Sequence, residues 1–162
     1  MRFVLDSMLG RLARWLRAMG CDVCYRTRYP EGVLDRCIQK GRVLVSRDRA
    51  RTRRFPGAVL VQSHHVGEQI RELRDRTGLD PDPRGWFSRC LVCNEKLQDA
   101  SAEEARENVP EYVFFENRDA IRFCPSCGRY FWPGTHRERM LARLRAWGFD
   151  PGPERKAGFS SI

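Results

Sequence analysis

Two aspartates stand where a metal ion could be put to use. Asp6 ends the apolar run Phe3-Val4-Leu5, and Asp48 follows Val43-Leu44-Val45-Ser46 after a single arginine. Carboxylates are the hard oxygen donors that Mg2+ or Mn2+ takes, and such ions can stabilise both the attacking and the leaving oxygen of a phosphodiester. A third acid is expected from Glu31 or Asp35, which lie four residues apart and so share nearly one helical face. Asp6, Glu31, Asp35 and Asp48 are therefore the catalytic candidates, with Asp6 and Asp48 as the Mg2+ or Mn2+ ligands. The competing reading of any one of them is a helix cap or a solvated surface acid.

A second constellation is softer. Cys90-Leu-Val-Cys93 and Cys124-Pro-Ser-Cys127 are two C-x-x-C pairs separated by thirty residues. Four thiolates complete a closed tetrahedral site, the pattern of structural Zn2+, and leave no position open for catalysis. Cys21-Asp-Val-Cys24 has the same spacing but falls on an expected strand, where residues three apart face opposite ways. These two thiols, and Cys37 on an expected helix, are read as buried cysteines.

The chain carries a net charge of +9. Residues 1–85 hold 18 Lys and Arg against 10 Asp and Glu, whereas residues 86–162 hold 12 against 11. Arg11, Arg14 and Arg17 recur every third residue of the first expected helix, and Arg47, Arg49, Arg51, Arg53 and Arg54 flank Asp48. Guanidinium forks suit phosphate oxygens, so this half of the chain is expected to meet a polyanion, most simply nucleic acid. His136 and Arg137, opening the last helix, extend the candidate RNA-binding set. The bland reading is that these side chains only solvate their helices.

The elements that must position these residues alternate strand and helix through residue 77. Strands are expected over 2–6, 21–26, 42–46 and 58–62, with helices over 9–20, 31–40, 49–54 and 67–77. That order predicts an α/β sandwich with a parallel sheet, in which ligands gather beyond the carboxyl ends of the strands. Asp6 and Asp48 then share one sheet edge. Ser63-His64-His65 follows the fourth strand, where a histidine could ligate Mn2+ or simply be polar surface. Asp80–Gly85 reads as a stiff linker, giving expected domains of 1–85 and 86–150 and a loose tail over 151–162. In the second domain Ser101-x-x-Glu104 predicts a capped helix, 112–115 a strand, and Thr135-x-x-Glu138 a cap for a helix lined by Met140, Leu141, Leu144 and Trp147. No apolar run approaches a membrane span, and Arg2 and Asp6 interrupt any leader-like stretch, so a cytoplasmic protein is expected.

The segments FVLDSMLGRLARWLRAMGCD, GRVLVSRD, FSRCLVCN and RFCPSCGRYFWPGTHRERM, in this order, resemble the mut-seven-type C-terminal RNase domain family. The resemblance spans roughly residues 2–147. It implies a PIN-like three-layer sandwich fused to a zinc ribbon and a metal-dependent (endo)ribonuclease acting on single-stranded or structured RNA. Asp6 and Asp48 match the family's acidic positions. Where relatives open the second helix with an acidic cluster, this chain has Glu31 as the nearest match and Asp35 as a substitute. A rival expectation is a non-catalytic RNA-binding adaptor using the arginine-rich face and the ribbon. A third is a toxin-like nuclease restrained by a regulatory protein partner.

Overall fold

The first apolar run forms β1 (Arg2–Leu5), and Phe3, Val4 and Leu5 are all fully buried. Three consecutive buried apolar residues must be covered on both faces, which parallel sheets require. It pairs with β2 (Asp22–Tyr25) on one side and β3 (Val43–Ser46) on the other, and β3 pairs with β4 (Val59–Leu60). The sheet order is β2-β1-β3-β4, all parallel. The crossovers are α1 (Gly10–Ala18), α2 (Val33–Gln39) and α3 (Arg49–Arg54), and α4 (Val66–Thr77) follows β4. Helix α1 buries Leu12, Ala13 and Leu16, and α4 buries Ile70 and Leu73, at the spacing of one helical face. The expected parallel α/β sheet is present.

The computed structural model describes residues 1–150, and the tail expected over 151–162 lies outside the described residues. The chain divides into two units, Met1–Asn94 and a second from Glu95 onward. In the first, the segment after α4 returns to the open side of β2. Asn94 accepts from the Val23 N–H at 2.8 Å and donates to Asp22 at 2.7 Å, while Arg42 grips the Asp22 carboxylate at 2.8 and 3.0 Å. An edge strand's outward amide is thus satisfied by a side chain rather than left as a template for pairing.

The second unit holds an antiparallel sheet of β5 (Gln98–Asp99), β6 (Arg122–Phe123) and β7 (Tyr130–Phe131), with α5 (Ala102–Asn108), α6 (Glu111–Asn117) and α7 (Thr135–Ala146). Ala105, Val109, Val113, Phe114 and Ile121 form its core. Ser101 and Glu104 make both bonds of the expected capping box. Two expectations fail here. Residues 112–115 are helical, because burying the adjacent pair Val113 and Phe114 while leaving Tyr112 and Phe115 exposed is possible on a helix and not on an alternating strand. Thr135 is the first helical residue rather than a cap, since extended Gly134 takes the cap position with no side-chain bond. Among the described residues, no helix is long and apolar enough to cross a membrane.

The Asp22 network generates a stability prediction. Burial alone would raise the Asp22 pKa, but the bonds from Arg42 and Asn94 outweigh it and hold the carboxyl below its ordinary range. A depressed folded pKa means that the contribution is complete at neutral pH and is lost as pH falls through that folded value. Asp22→Asn should lower unfolding stability by on the order of 1–2 kcal/mol at pH 7, measured by urea titration. The gap from the parent should close in acid; a gap independent of pH would show that the carboxylate charge is not what matters.

Candidate functional site

Asp6 sits one residue beyond β1, and its backbone N–H donates to the Val45 carbonyl at 3.2 Å, continuing the ladder with β3. The residue is 2% exposed. Oδ1 accepts from the Met8 N–H at 2.9 Å, capping the short turn Ser7–Leu9. Oδ2 accepts from the Ser46 hydroxyl and from the Arg47 N–H at 3.1 Å. These three donors are all uncharged. The Ser46 hydroxyl also accepts from the Asp48 N–H at 3.0 Å, so one buried oxygen links the two acids expected to share this edge.

Asp48 is exposed and starts α3, with Oδ1 accepting from the Ala50 and Arg51 amides at 2.8 and 3.2 Å. Capping and edge position therefore coincide in both aspartates. Glu31 is exposed in the turn before α2, and Asp35 is half-buried in the first turn of that helix. The Tyr29 hydroxyl donates to the Leu5 carbonyl at 2.7 Å, which ties the approach to α2 to the end of β1. No three carboxylates converge here among the described residues; the one tight group of possible ligands is the four cysteines below.

Around this edge the arginines differ. Arg11, Arg14, Arg49, Arg53 and Arg54 are exposed, while Arg47 and Arg51 are half-buried. One Arg47 terminal nitrogen lies 3.2 and 3.1 Å from the two ring nitrogens of His64, so that histidine meets a cation rather than the acids. Arg47 Nε is buried without a hydrogen-bond partner. His136 is exposed and Arg137 half-buried in the first turn of α7.

Arg17 corrects the reading from spacing. It is 4% exposed, and its guanidinium donates to Val23 O at 3.2 and 2.9 Å, to Leu91 O at 3.2 Å and to Val92 O at 2.7 Å. A side chain so engaged is not offered to RNA. Leu91 and Val92 are the two residues between Cys90 and Cys93, so Arg17 braces a cysteine turn. Burial lowers its pKa, and the neighbouring Cys90 and Cys93 oppose that shift. The every-third-residue pattern carried no sign of this role, which depends on a contact 74 residues away in the chain.

Cys90, Cys93, Cys124 and Cys127 bring their sulfurs within 4.8 Å of one another. A ZnS4 tetrahedron with bonds near 2.3 Å has edges of about 3.8 Å, so the donor set and its spacing suit a metal such as zinc. The two turns are built alike. Asn94 donates its N–H to Cys90 O at 3.0 Å, and Gly128 to Cys124 O at 2.9 Å. Each follows its C-x-x-C directly, at φ 73° and 69°, in the left-handed region that Gly and Asn tolerate best.

A family model described as the Mut7-C RNAse domain matches residues 1–144. No curated protein and no solved structure matches the chain.

The Arg17 brace can be tested directly. Arg17→Gln should strip donors from buried carbonyls and cost about 3 kcal/mol of stability in guanidinium titration. Metal bound at the four cysteines should also be lost to a chelator faster than from the parent. Parental stability together with parental metal retention would return Arg17 to the surface set.

Proposed function

The chain belongs to the Mut7-C RNAse domain family, and on that premise we propose that it is a metal-dependent ribonuclease working at the edge that holds Asp6 and Asp48. The observation that carries this reading is the Ser46 hydroxyl tying the Asp6 carboxylate to the backbone amide of Asp48 beyond the ends of adjacent parallel strands. The parallel strand–helix order supports assigning residues 1–85 to a PIN-like nuclease sandwich. The four cysteines support a structural Zn2+ in a ribbon over 86–150.

The Asp6 carboxylate fits a cation. It is buried among uncharged donors, and a buried charge is otherwise stable only when paired. Asp6 and Asp48 would hold Mg2+ or Mn2+, with Glu31 or Asp35 as the third acid. When bound, the ion supplies a nucleophilic water at neutral pH and offsets charge on the phosphate. The protein's own part is positional. Ser46 fixes the Asp6 carboxylate, and the Asp48 cap fixes the start of α3. Exposed Arg11, Arg14, Arg49, Arg53 and Arg54 draw the RNA backbone to the edge.

A second reading has its own support. Among the described residues no three carboxylates converge at this edge, which favours an RNA-binding adaptor in which both acids serve only as caps.

Asp6→Asn keeps the shape and removes the charge. Cleavage of a labelled RNA should require Mn2+ or Mg2+ and fall by about two orders of magnitude in the variant, while RNA binding persists. Undiminished cleavage by folded Asp6→Asn would sink the assignment, and a parent that binds tightly without cleaving would support the adaptor. A second outcome concerns salt. Replacing Arg49, Arg51 and Arg53 with Gln should flatten the slope of log affinity against log salt by up to about three. An unchanged slope would mean that α3 only solvates itself.

A further inference from the structure

Away from the acidic edge, two thiols meet that no spacing rule pairs. Cys24 in β2 and Cys37 in α2 bring their sulfurs to 3.7 Å. Cys21, which the C-x-x-C spacing would join to Cys24, is instead buried just before β2 at 7% exposure. Cys24 and Cys37 are both half-buried, so a small reagent can reach them. We propose that Cys24 and Cys37 are a reversible dithiol–disulfide site that exchanges with low-molecular-weight disulfides.

The chain allows the bond to close. A disulfide needs its sulfurs at about 2.05 Å, so the pair must approach by a little under 2 Å. Helix α2 is the element fitted to supply that movement. It is seven residues long, has no buried residue, and is bracketed by Gly32 at φ 70° and Gly41 at φ 76°. Those glycines hold left-handed turns that let a short helix shift with little cost to the core. By contrast Cys24 sits in a strand paired to β1, opposite the fully buried Val4, so it is the fixed half of the site.

The exchange balances with glutathione disulfide as the oxidant. The thiolate of one cysteine attacks a glutathione sulfur, forming a mixed disulfide and expelling one glutathione thiolate. The second cysteine then attacks the protein sulfur of that mixed disulfide and expels the other glutathione. Two protein thiols lose two electrons and two protons overall, and one glutathione disulfide becomes two glutathiones. The new bond ties α2, and with it Asp35, to the sheet. The site itself stands whether or not Asp35 serves a nuclease.

The test uses the full-length, zinc-loaded chain equilibrated with glutathione disulfide, alkylated, and digested with trypsin without reduction. Mass spectrometry should find residues 18–26 joined to residues 37–40, and dithiothreitol should release them. Because 18–26 also contains Cys21, the cross-link should survive in Cys21→Ser and vanish in both Cys24→Ser and Cys37→Ser. Two separate variants keep the result readable if one fails to fold. A bond between Cys21 and Cys24, stable glutathione adducts without a cross-link, or oxidation confined to Cys90, Cys93, Cys124 and Cys127 would each overturn the proposal.

Discussion

The pairing of β1 with β3 is the constraint from which the acidic edge follows. Leu5 lies opposite Val45, and the ladder runs one residue further through the Asp6 amide. That register sets Asp6 beside Ser46 and the Arg47 amide, so its carboxylate meets three neutral donors inside the protein. A shift by one residue would turn Phe3, Val4 and Leu5 each to the opposite face of the sheet, undoing their packing against both layers at once. The core therefore enforces the placement of a charge that would not choose to be buried. This is the usual economy of a parallel sheet: apolar runs fix the strands, and the first polar residue past each run inherits a defined position.

Arg17 shows the same logic with the opposite charge. Taking a guanidinium out of water is costly, several kcal/mol even after relaxation. Four bonds to three backbone carbonyls offset that cost. The carbonyls come from β2 and from the turn between Cys90 and Cys93, so α1, the edge strand and the cysteine turn are held by one side chain. A carbonyl acceptor leaves the cation's charge uncancelled; burial lowers the Arg17 pKa, and the neighbouring Cys90 and Cys93 oppose that shift. Asn94 reinforces the arrangement by satisfying the Val23 amide and the Asp22 carboxylate together.

Much of this was legible in the residues. Apolar runs ending in Asp6 and near Asp48 gave the parallel strands and the shared edge, because burial on both faces leaves a continuous hydrophobic signature. The two C-x-x-C pairs gave the cysteine centre, because short spacing fixes geometry locally. The Ser101 capping box was readable for the same reason. What was hidden depends on distant contacts. The aromatic and β-branched residues 112–115 favour strands in isolation, yet packing of Val113 and Phe114 into the core with Ala105 and Val109 made a helix. Arg17 had the spacing of a surface arginine, and only the return of residues 91 and 92 shows that it is buried. Cys24 and Cys37 come from different elements and share no motif. Glu31 and Asp35 could be placed near the edge by position, but convergence of side chains is a matter of angstroms, and spacing along a chain does not carry it.

The matched cysteine turns have a consequence for the chain before it folds. Each turn closes within five residues, so each can take hold of an ion almost independently of the rest of the chain. Joining the two on one ion then closes a loop of thirty residues between Cys93 and Cys124. Such a cross-link removes conformations from the unfolded chain worth about 3.5 kcal/mol by loop-closure arithmetic. A bound ion would in this way act as a staple, and much of its stabilisation would come from the disordered states it forbids rather than from contacts it makes in the native one.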